Sequence, residues 1–507
     1  MILSNIQGVI DMLLDHAIAS TNAYIEQMPK AERKKYGQFF TGKTTAVFMA
    51  KLFDLSNSSS TVHVLDAGAG SGILSCALLE ELGNYSHIKR VKLVCYENDE
   101  KILHLLKSNL DYLENNVNYE LHYRILPQNY ITSQKQDFNQ TFGCNVNPPK
   151  YDLIIGNPPY KKISKDAPEA VAMPEICYGA PNLYFLFAAM GAFNLKSMGE
   201  MVYIIPRSWT SGAYFQHFRE YFLRECQLKH IHLFVSRDKV FDKESVLQET
   251  MIIKVQKASE IPQYVTITSS ETSKDFNKLT TLQIPYSLVV AGKEKYVYLV
   301  TNVEELSVLK KMYQWHDTLP TLGMKMKTGL TVDFRNQVAL RDNPEKEAIP
   351  LFYPQHIRDG IVQFPIHMEG EYIVTDQAGL RQTNKNYLFI KRFTTKEEKR
   401  RLQCGIYLAK QFPKYQQIST QNKINFIDGV MSELSECVVC GLYVLFNSTL
   451  YDMYYRILNG STQVNSTEIN SMPVPELRTI QQLGHRLIKS KDLSEANCNK
   501  ILEEHCG

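Results

Sequence analysis

The loop that begins at Asn157 carries groups that suit chemistry on a flat ring with an exocyclic amine. It follows an apolar run of strand length, 153–155, and a glycine. The Asn157 side-chain oxygen can accept one hydrogen bond from such an amine, and the carbonyl of Pro158, held by the fixed φ of proline, can accept the other. Two acceptors on one amine aim its lone pair out of the ring, at an electrophile. Pro159 keeps the loop rigid, and Tyr160 can stack on the ring, a contact worth roughly 1–3 kcal/mol per base.

The place of this loop in the chain supports that interpretation, because ligands in open α/β sheets bind at the carboxyl ends of strands. The alternative is a proline-rich turn after a buried strand. Another Asn-Pro-Pro stands at 147–149, but Lys150 follows it and no apolar strand precedes it. We interpret this first triplet as a plain turn.

A glycine-rich turn lies upstream, between an apolar strand pattern and a helix pattern at 73–82. Its sequence is Asp-Ala-Gly-Ala-Gly-Ser-Gly over 66–72. The glycines allow a tight turn and a close approach of backbone to a ligand at the start of the helix. A second strand, 93–96, ends in Glu97, whose carboxylate suits ribose hydroxyls, although a solvated strand end is the alternative. Such turns occur in both dinucleotide and S-adenosylmethionine sites.

A match to the phosphate-binding loop pattern, with Gly37, Gly42, Lys43 and Thr44 in register, lies nearer the amino terminus. A true phosphate-binding loop follows a buried apolar strand, whereas this one follows a basic stretch. We do not interpret it as a nucleotide site, although an ATP-dependent DNA-binding protein remains the alternative from a different class.

The pattern of elements divides the chain into four parts. A helix is predicted for 1–30, and alternating strands and helices predict a doubly wound α/β domain over 31–256. Residues 257–315 show little periodicity and are expected to form a connection. Short segments punctuated by glycine and proline predict a mixed α+β domain over 316–507.

Three features of the C-terminal part bear on partners. A basic run at 391–401, interleaved with aromatic residues, suits either a solvated face or a surface that follows phosphates. Residues 447–465 are rich in amides and hydroxyls that could contact nucleic acid, but an ordinary polar loop is the interpretation we favour. Cys437 and Cys440 stand in an apolar context without a second ligand pair, which indicates core rather than a metal site.

The composition bounds the function class. The 507 residues include 56 Lys plus Arg and 53 Asp plus Glu, a net charge of +3 that permits a nucleic-acid partner without requiring one. The ten cysteines are scattered without a paired framework, and no secretory signal is present, which predicts a reducing cytoplasm. No apolar run reaches the roughly 18 residues needed to cross a bilayer.

The order of these motifs resembles that of the gamma-class N6-adenine DNA methyltransferases. The series is Tyr-Gly-Gln-Phe-Phe-Thr at 36–41, the glycine turn, Tyr-Glu-Asn at 96–98, Asn-Pro-Pro-Tyr at 157–160 and then a separate C-terminal region. The specific motifs cover 36–256. The layout is similar to the stand-alone modification enzymes of type II restriction systems, in particular the BsuBI and PstI type, which modify adenine in CTGCAG.

The resemblance implies a Rossmann-like methyltransferase domain, a target recognition domain after it, and S-adenosylmethionine as the cofactor. Residues 36 and 41 would close over the cofactor, the glycine turn would hold its methionine part, and the acidic strand end would hold its ribose. The implied cofactor residues are Tyr36, Thr41, Asp66, Gly68, Gly70, Glu97, Asn98, Asn129, Tyr130 and Asn157.

Two segments compete for the contact to the adenine of the cofactor. The family has an Asp-Phe pair there, directly after the third strand. Asn129 and Tyr130 stand in that place, whereas Asp137 and Phe138 match by letter but lie further along the chain. This departure leaves both segments as candidates.

The resemblance also implies that the target adenine leaves the duplex and enters the site, since its amine is out of reach inside the stack. The catalytic set would be Asn157, Pro158, Pro159, Tyr160 and Phe241, the last of which matches a family aromatic on the other face of the base. A core phenylalanine is the alternative for Phe241. Methyl transfer from sulfonium to nitrogen then needs positioning and hydrogen bonds, with no metal and no covalent intermediate.

The expected partners are double-stranded DNA with a short recognition sequence and a cognate restriction endonuclease. Two enzyme alternatives remain, because Asn-Pro-Pro-Tyr also occurs in methyltransferases of RNA bases and of glutamine amides, and because the chain could be the modification subunit of a larger restriction complex. The amino-terminal cofactor motif and the domain-sized C-terminal region favour DNA.

Overall fold

The computed structural model describes residues 2–27, 29, 40–234, 250–394, 398–459 and 462–506. The chain divides into two compact units. The first comprises Met1–Thr210 and Tyr214–Asn302, and the second comprises Ser211–Ala213 and Val303–Gly507. The two units are described separately below.

The first unit is built on a nine-stranded sheet with the order β3-β2-β1-β4-β5-β7-β6-β8-β9. Strands β3, β2, β1, β4 and β5 are parallel, and β7 runs antiparallel to both β5 and β6. The strand order reverses between β1 and β4, which is where ligands bind in doubly wound sheets. The strands are β1 (Thr61–Ala67), β2 (Arg90–Tyr96), β3 (Glu120–Leu126), β4 (Tyr151–Gly156), β5 (Leu195–Pro206), β6 (Gln227–Phe234), β7 (Thr250–Gln256), β8 (Tyr264–Ser270) and β9 (Thr280–Pro285), with a separate two-stranded ladder of β10 (Val290–Ala291) and β11 (Tyr296–Val297).

Helices pack against this sheet, as the alternating pattern predicts. They are α1 (Ile2–Gln27), α2 (Lys43–Ala50), α3 (Ile73–Gly83), α4 (Glu100–Glu114), α5 (Lys135–Asn139), α6 (Pro168–Ala172), α7 (Leu183–Asn194), α8 (Gln216–Glu225) and α9 (Tyr286–Val289). Helix α3 buries most of its length because its sequence is apolar nearly all round. Strand β4 is likewise buried on both faces, and its last residue Gly156 pairs with Tyr203 of β5. The sheet therefore holds the residue before Asn157 in a fixed place.

Two boundaries differ from those expected. We expected 257–315 to be a connection, but β8 pairs with β6 and β9 pairs with β8, so this part of the chain extends the sheet. Residues 1–30 were expected to stand apart as a helix, whereas α1 belongs to the first unit and packs against α3 and α4. The expected division at 256 therefore falls inside the first unit.

The second unit contains two sheets, with the orders β12-β22-β19-β20-β16-β15 and β13-β17-β14-β21-β18. Its strands are β12 (Met324–Thr328), β13 (Leu340–Arg341), β14 (Ile349–Phe352), β15 (Ile357–Arg358), β16 (Ile361–Val362), β17 (Tyr372–Ile373), β18 (Gln382–Thr383), β19 (Tyr387–Lys391), β20 (Cys404–Tyr407), β21 (Gln417–Thr420) and β22 (Ile424–Gly429). Its helices are α10 (Val303–Met312), α11 (Glu436–Phe446), α12 (Thr449–Leu458), α13 (Ser466–Ser471), α14 (Leu477–Ser490) and α15 (Glu495–Cys506).

The interpretation of 447–465 as a polar loop is wrong for most of its length. Helix α12 begins after Ser448, whose hydroxyl accepts a hydrogen bond from the backbone of Tyr451. Its three tyrosines, Ile457 and Leu458 are buried, and an amide that suggested a loop makes a local hydrogen bond beside this core. Asn459 donates to the carbonyl of Gln463 at 3.1 Å.

Helix α11 contains Cys437 and Cys440, and its residues from Val438 onward are buried, as a core segment requires. In the described part of the chain, no group of three or more His, Cys, Asp or Glu side chains is placed to hold a metal ion. The same residues include no helix that is both long and apolar enough to cross a bilayer.

Candidate functional site

A cavity opens in the first unit where β1, β2 and β4 end. Four parts of the chain line it, together with a ring from α7. The lining residues are Phe40, Thr41, Gly68, Ala69, Gly70, Ser71, Ile73, Leu74, Glu97, Asn98, Asp99, Asn157, Pro159 and Phe187. Seven residues that we singled out from the sequence thus meet here, namely Thr41, Gly68, Gly70, Glu97, Asn98, Asn157 and Pro159.

The glycine turn adopts a backbone that other residues rarely accept. The φ angles of Gly68, Gly70 and Gly72 are +73°, +56° and +85°. A Cβ on Gly72 would come within 2.8 Å of a Leu106 methyl group. The backbone N–H of Gly68 donates to the carbonyl of Tyr96 at 2.8 Å, which ties the turn to the end of β2. The glycines therefore place bare backbone at the cavity wall.

Glu97 organises the opposite wall. Its Oε2 accepts a hydrogen bond from the Gly70 N–H at 2.8 Å, and its Oε1 accepts from the N–H groups of Asn98 and Asp99 at 2.8 and 2.9 Å. Burial raises the pKa of the Glu97 carboxyl, and these backbone donors oppose the rise. A carboxylate has about four acceptor positions, so Glu97 can accept from these three backbone donors and still accept from one hydroxyl.

Asp66 ends strand β1 beneath the turn and does not line the cavity. Its Oδ2 accepts a hydrogen bond from the Ser75 hydroxyl at 2.7 Å, while Oδ1 is buried without a hydrogen-bond partner among the described residues. Burial raises the pKa of this carboxyl to about 7. Asp66 is therefore placed to support the turn, and its direct contact with a ligand stays a prediction.

Asn157 and Thr41 are in direct contact where they line the cavity. The Asn157 side-chain nitrogen donates to the Thr41 hydroxyl at 3.1 Å, and this fixes which side of the amide presents oxygen. Pro158 is buried in the first unit, and Pro159 lines the cavity wall. A polar acceptor is thus presented next to a cavity lined by glycine backbone.

Tyr160 is partly buried, and contacts with its neighbours orient its ring. Its hydroxyl donates to the carbonyl of Ile204 at 3.0 Å, and its ring meets that of Tyr184 edge to face at 6.2 Å. Burial raises the pKa of Tyr160, so the phenol stays protonated. The ring can be a stacking surface, but a proton acceptor is not among its roles.

Neither candidate pair for the adenine contact lines the cavity. The Asn129 side-chain oxygen accepts from the N–H groups of Ile131 and Thr132 at 3.1 and 3.0 Å, as in the cap of a turn. The hydroxyl of Tyr130 is buried against Asn194 at 2.7 Å. The structure thus gives both residues local structural contacts.

Asp137 and Phe138 also have other partners. The Asp137 carboxylate accepts from the backbone N–H of Asn145, and Phe138 packs on Phe193 and Tyr221. Asn98 and Asp99, the residues that follow Glu97, do line the cavity. Tyr36 and Phe241 lie outside the described residues, so their assigned roles stay predictions.

The residues of the apparent phosphate-binding loop serve other contacts. Gly42 precedes α2, the Lys43 ammonium lies 2.6 Å from the Asp15 carboxylate, and the Thr44 hydroxyl donates to the carbonyl of Ser273 at 2.7 Å. None of the three lines the cavity. Gly37 is outside the described residues. These contacts argue against a phosphate cradle at this place.

The sequence did not reveal the part that helix α1 plays in the site. The hydroxyl of Thr21 lies 2.8 Å from that of Ser71, and the side chain of Asn109 donates to the carbonyl of Ser71 at 2.8 Å. Ser20 in turn donates to Asn109 at 2.8 Å. Helix α1 is thereby tied to the glycine turn. The adjacent hydroxyl residues Ser20 and Thr21 were the available signal.

The chain is similar to restriction-modification methylases. The Eco57I restriction-modification methylase family matches residues 83–241. The chain is 31% identical over 509 residues to the type II methyltransferase M.PstI of Providencia stuartii, covering 97% of this chain and 96% of that protein. It is 32% identical over 490 residues to M.BsuBI of Bacillus subtilis, covering 93% and 94%.

Among solved structures, the type IIL restriction-modification enzyme MmeI, in complex with DNA, has a similar fold. The TM-score is 0.52 at 12% sequence identity, covering 99% of this chain and 74% of that chain. This likeness extends over both units, whereas the family match lies within the first.

Proposed function

The chain belongs to the type II DNA methyltransferases of restriction-modification systems, and from this membership we propose that it methylates N6 of an adenine in a short duplex sequence. The observation that carries the proposal is the presentation of Asn157, with its amide nitrogen held by Thr41, at the rim of the glycine-lined cavity. This is the arrangement that an exocyclic amine needs.

The lining of the cavity fits S-adenosylmethionine, the cofactor of this family. Bare backbone at Gly68 and Gly70 admits a close ligand, and a side chain on either would be strained because φ is positive. Glu97 offers an acceptor position for a ribose hydroxyl, and Phe40 and Phe187 offer ring surfaces. When bound, the cofactor supplies a methyl group on a sulfonium, which is the electrophile.

The residues of the Asn-Pro-Pro-Tyr loop would position the amine. The Asn157 Oδ1 and the Pro158 carbonyl accept its two hydrogens, and this raises the availability of the lone pair. Tyr160 holds the ring of the base from one side, since its own orientation is fixed by Ile204 and Tyr184. The contribution of these residues is positioning and hydrogen bonding.

An adenine in a duplex cannot reach a loop of this kind while it is stacked, so the base must be flipped out of the helix. We propose that the second unit reads the recognition sequence as the target recognition domain, and that a cognate endonuclease cleaves unmodified sites. The similarity to M.PstI and M.BsuBI supports CTGCAG as the first sequence to test.

The test is to incubate the purified protein with S-adenosylmethionine and unmethylated plasmid, and then to map modified bases by single-molecule sequencing. N6-methyladenine at one recurring short sequence is the expected result. Transfer to cytosine would contradict the adenine assignment. Cofactor binding without any modified DNA base would redirect the search to an RNA or protein acceptor.

A further inference from the structure

The second unit exposes two phenylalanine rings, each next to an arginine. Phe334 is 68% exposed and Phe393 is 47% exposed. The guanidinium of Arg335 lies 5.6 Å from the centre of the Phe334 ring, and that of Arg392 lies 5.5 Å from the centre of the Phe393 ring. Each pair offers a ring for stacking and a cation for charge contacts at the same exposed place.

The first pair is fastened to the turn at 421–423. The backbone N–H of Asn422 donates to the carbonyl of Thr331 at 2.8 Å, and the side chain of Gln421 donates to the carboxylate of Asp333 at 2.7 Å. Thr331 is fully buried. The segment that carries the first ring therefore has a fixed base.

The second pair, Arg392 and Phe393, is hydrogen-bonded to the same turn. The backbone N–H of Arg392 donates to the carbonyl of Lys423 at 2.9 Å, and its guanidinium donates to the carbonyl of Asn422 at 3.0 Å. Phe393 also pairs as an isolated bridge with Gln463. Both rings thus flank one turn at one end of the six-stranded sheet.

Both segments are tied to the turn at 421–423, and we call the exposed side chains around this turn the aromatic-cationic face. Its members are Leu330, Phe334, Arg335, Arg392, Phe393 and Lys423. Leu330 is 64% exposed and adds apolar surface beside the rings. The carboxylate of Asp333, which belongs to the same segment, is engaged by Gln421. The face therefore combines three cations with three exposed apolar side chains.

We propose that the aromatic-cationic face contacts the DNA duplex that carries the target base. The inference rests on the proposed function, because it takes duplex DNA as the substrate. Arginine and lysine side chains would contact phosphates, the contacts that supply most of the affinity for any duplex. Phe334, Phe393 and Leu330 would lie against base edges or enter a base step, as apolar wedges do in proteins that bend DNA.

The charge complementarity is what selects DNA as the occupant. Three cations around three apolar groups match a surface that alternates phosphates with the apolar faces of bases. Arg392 has five N–H donors and uses one for the carbonyl of Asn422 and one for the side-chain oxygen of Gln463, so others can reach a phosphate. The sequence allowed two interpretations of the basic run at 391–401, a solvated face or a surface that follows phosphates. At Arg392 the proposal selects the phosphate surface.

The test is the affinity for a fluorescently labelled duplex as a function of salt, in the full chain. Lys423→Ala and Arg335→Ala are each expected to weaken binding several-fold and to lower the slope of log affinity against log salt by about one. Phe334→Ala is expected to weaken binding about tenfold with no change in slope. Arg358→Ala is the matched control, because Arg358 is an exposed cation on β15, the opposite edge strand of the same sheet.

The decisive variant combines Phe334→Ala, Arg335→Ala and Lys423→Ala. Wild-type affinity and wild-type salt dependence in this variant, with S-adenosylmethionine binding intact, would overturn the proposal and assign the face to a protein partner. Loss of cofactor binding in the triple variant would indicate a folding defect. The single variant Lys423→Ala then tests the proposal, because replacing an exposed side chain should not disturb folding. If the wild type binds duplex but does not methylate adenine, the proposed function fails while this inference stands.

Discussion

The chain contains the triplet Asn-Pro-Pro twice, at 147–149 and at 157–159, in two very different surroundings. The first follows Val146, which is 90% exposed, and the backbone N–H of Asn147 donates to the side-chain oxygen of Asn145 at 3.1 Å. The second follows directly after β4, and the buried residues of this strand hold the first residue of the triplet in place. Three identical residues thus form a surface turn in one place and a cavity wall in the other.

The residue that follows each triplet shows how the two loops are anchored. Lys150 donates to the carbonyl of Phe193 and lies over the ring of that residue, 3.7 Å from its centre. Tyr160 donates to the carbonyl of Ile204 in β5. The first contact fastens a turn to the end of helix α7, and the second fastens the loop to strand β5. The motif acquires its chemistry from the strand before it and the ring after it.

The largest expected effect separates the two asparagines. Asn157→Ala should lower kcat for methylation by about 10²–10³-fold or more, since it removes an acceptor that holds the amine. Binding of S-adenosylmethionine and of duplex should change little. Asn147→Ala should leave kcat unchanged, because Asn147 is an exposed turn residue. Initial rates of methyl transfer from labelled cofactor measure both variants.

Either of two results would remove the distinction between the triplets. If Asn147→Ala lowers kcat as much as Asn157→Ala, the first triplet also belongs to the site. If Asn157→Ala loses duplex binding and unfolds at a lower temperature, the second triplet has a structural role alone.

Tyr160 should give the next largest effect. Tyr160→Ala removes a stacking surface worth roughly 1–3 kcal/mol, so kcat should fall about tenfold to a hundredfold. Tyr160→Phe keeps the ring and loses the bond of the hydroxyl to Ile204, so it should cost about 1 kcal/mol of stability and little kcat. Fluorescence of 2-aminopurine at the target position reports whether flipping weakens. Equal kcat in the wild type and both variants would take Tyr160 out of the site.

The sequence could predict this loop because its signal is local. An apolar run, a glycine and two prolines are adjacent, and β4 forms over the expected residues. The glycine turn was predictable for the same reason. Asn129 shows the limit, since an asparagine after a strand suits a ligand and a turn equally, and only its bonds to Ile131 and Thr132 distinguish the two.

Contacts between distant segments were beyond the sequence. Thr21 contacts Ser71, fifty positions along the chain, and the sequence of helix α1 does not indicate that partner. Strands β8 and β9 were missed for a different reason. In β8 the apolar Val265 and Ile267 alternate with threonines, but 257–315 as a whole shows little periodicity, which is typical of a connection.

The glycine before the second triplet offers a smaller test. A Cβ at Gly156 would come within 2.7 Å of the ring of Tyr203, which is fully buried and cannot move away freely. Gly156→Ala should therefore lower the free energy of unfolding by about 1–3 kcal/mol and displace the loop. Val146→Ala, at the corresponding place before the first triplet, should change stability by less than about 0.5 kcal/mol. Urea denaturation compares them, and equal midpoints would show that the second loop has room to adjust.

The smallest effect concerns Lys150 and pH. Burial lowers the pKa of Lys150 to about 8 from its usual 10.5, so the folded chain releases this proton before the unfolded chain does. Between these pH values the unfolded state binds more protons, and the free energy of unfolding rises with pH. Lys150→Met lacks this group, so the stability of the wild type relative to the variant should increase across that window. Because the first triplet lies outside the site, kcat of both proteins should show the same dependence on pH. An inflection in kcat near pH 8 that Lys150→Met removes would place the first triplet in the catalytic machinery.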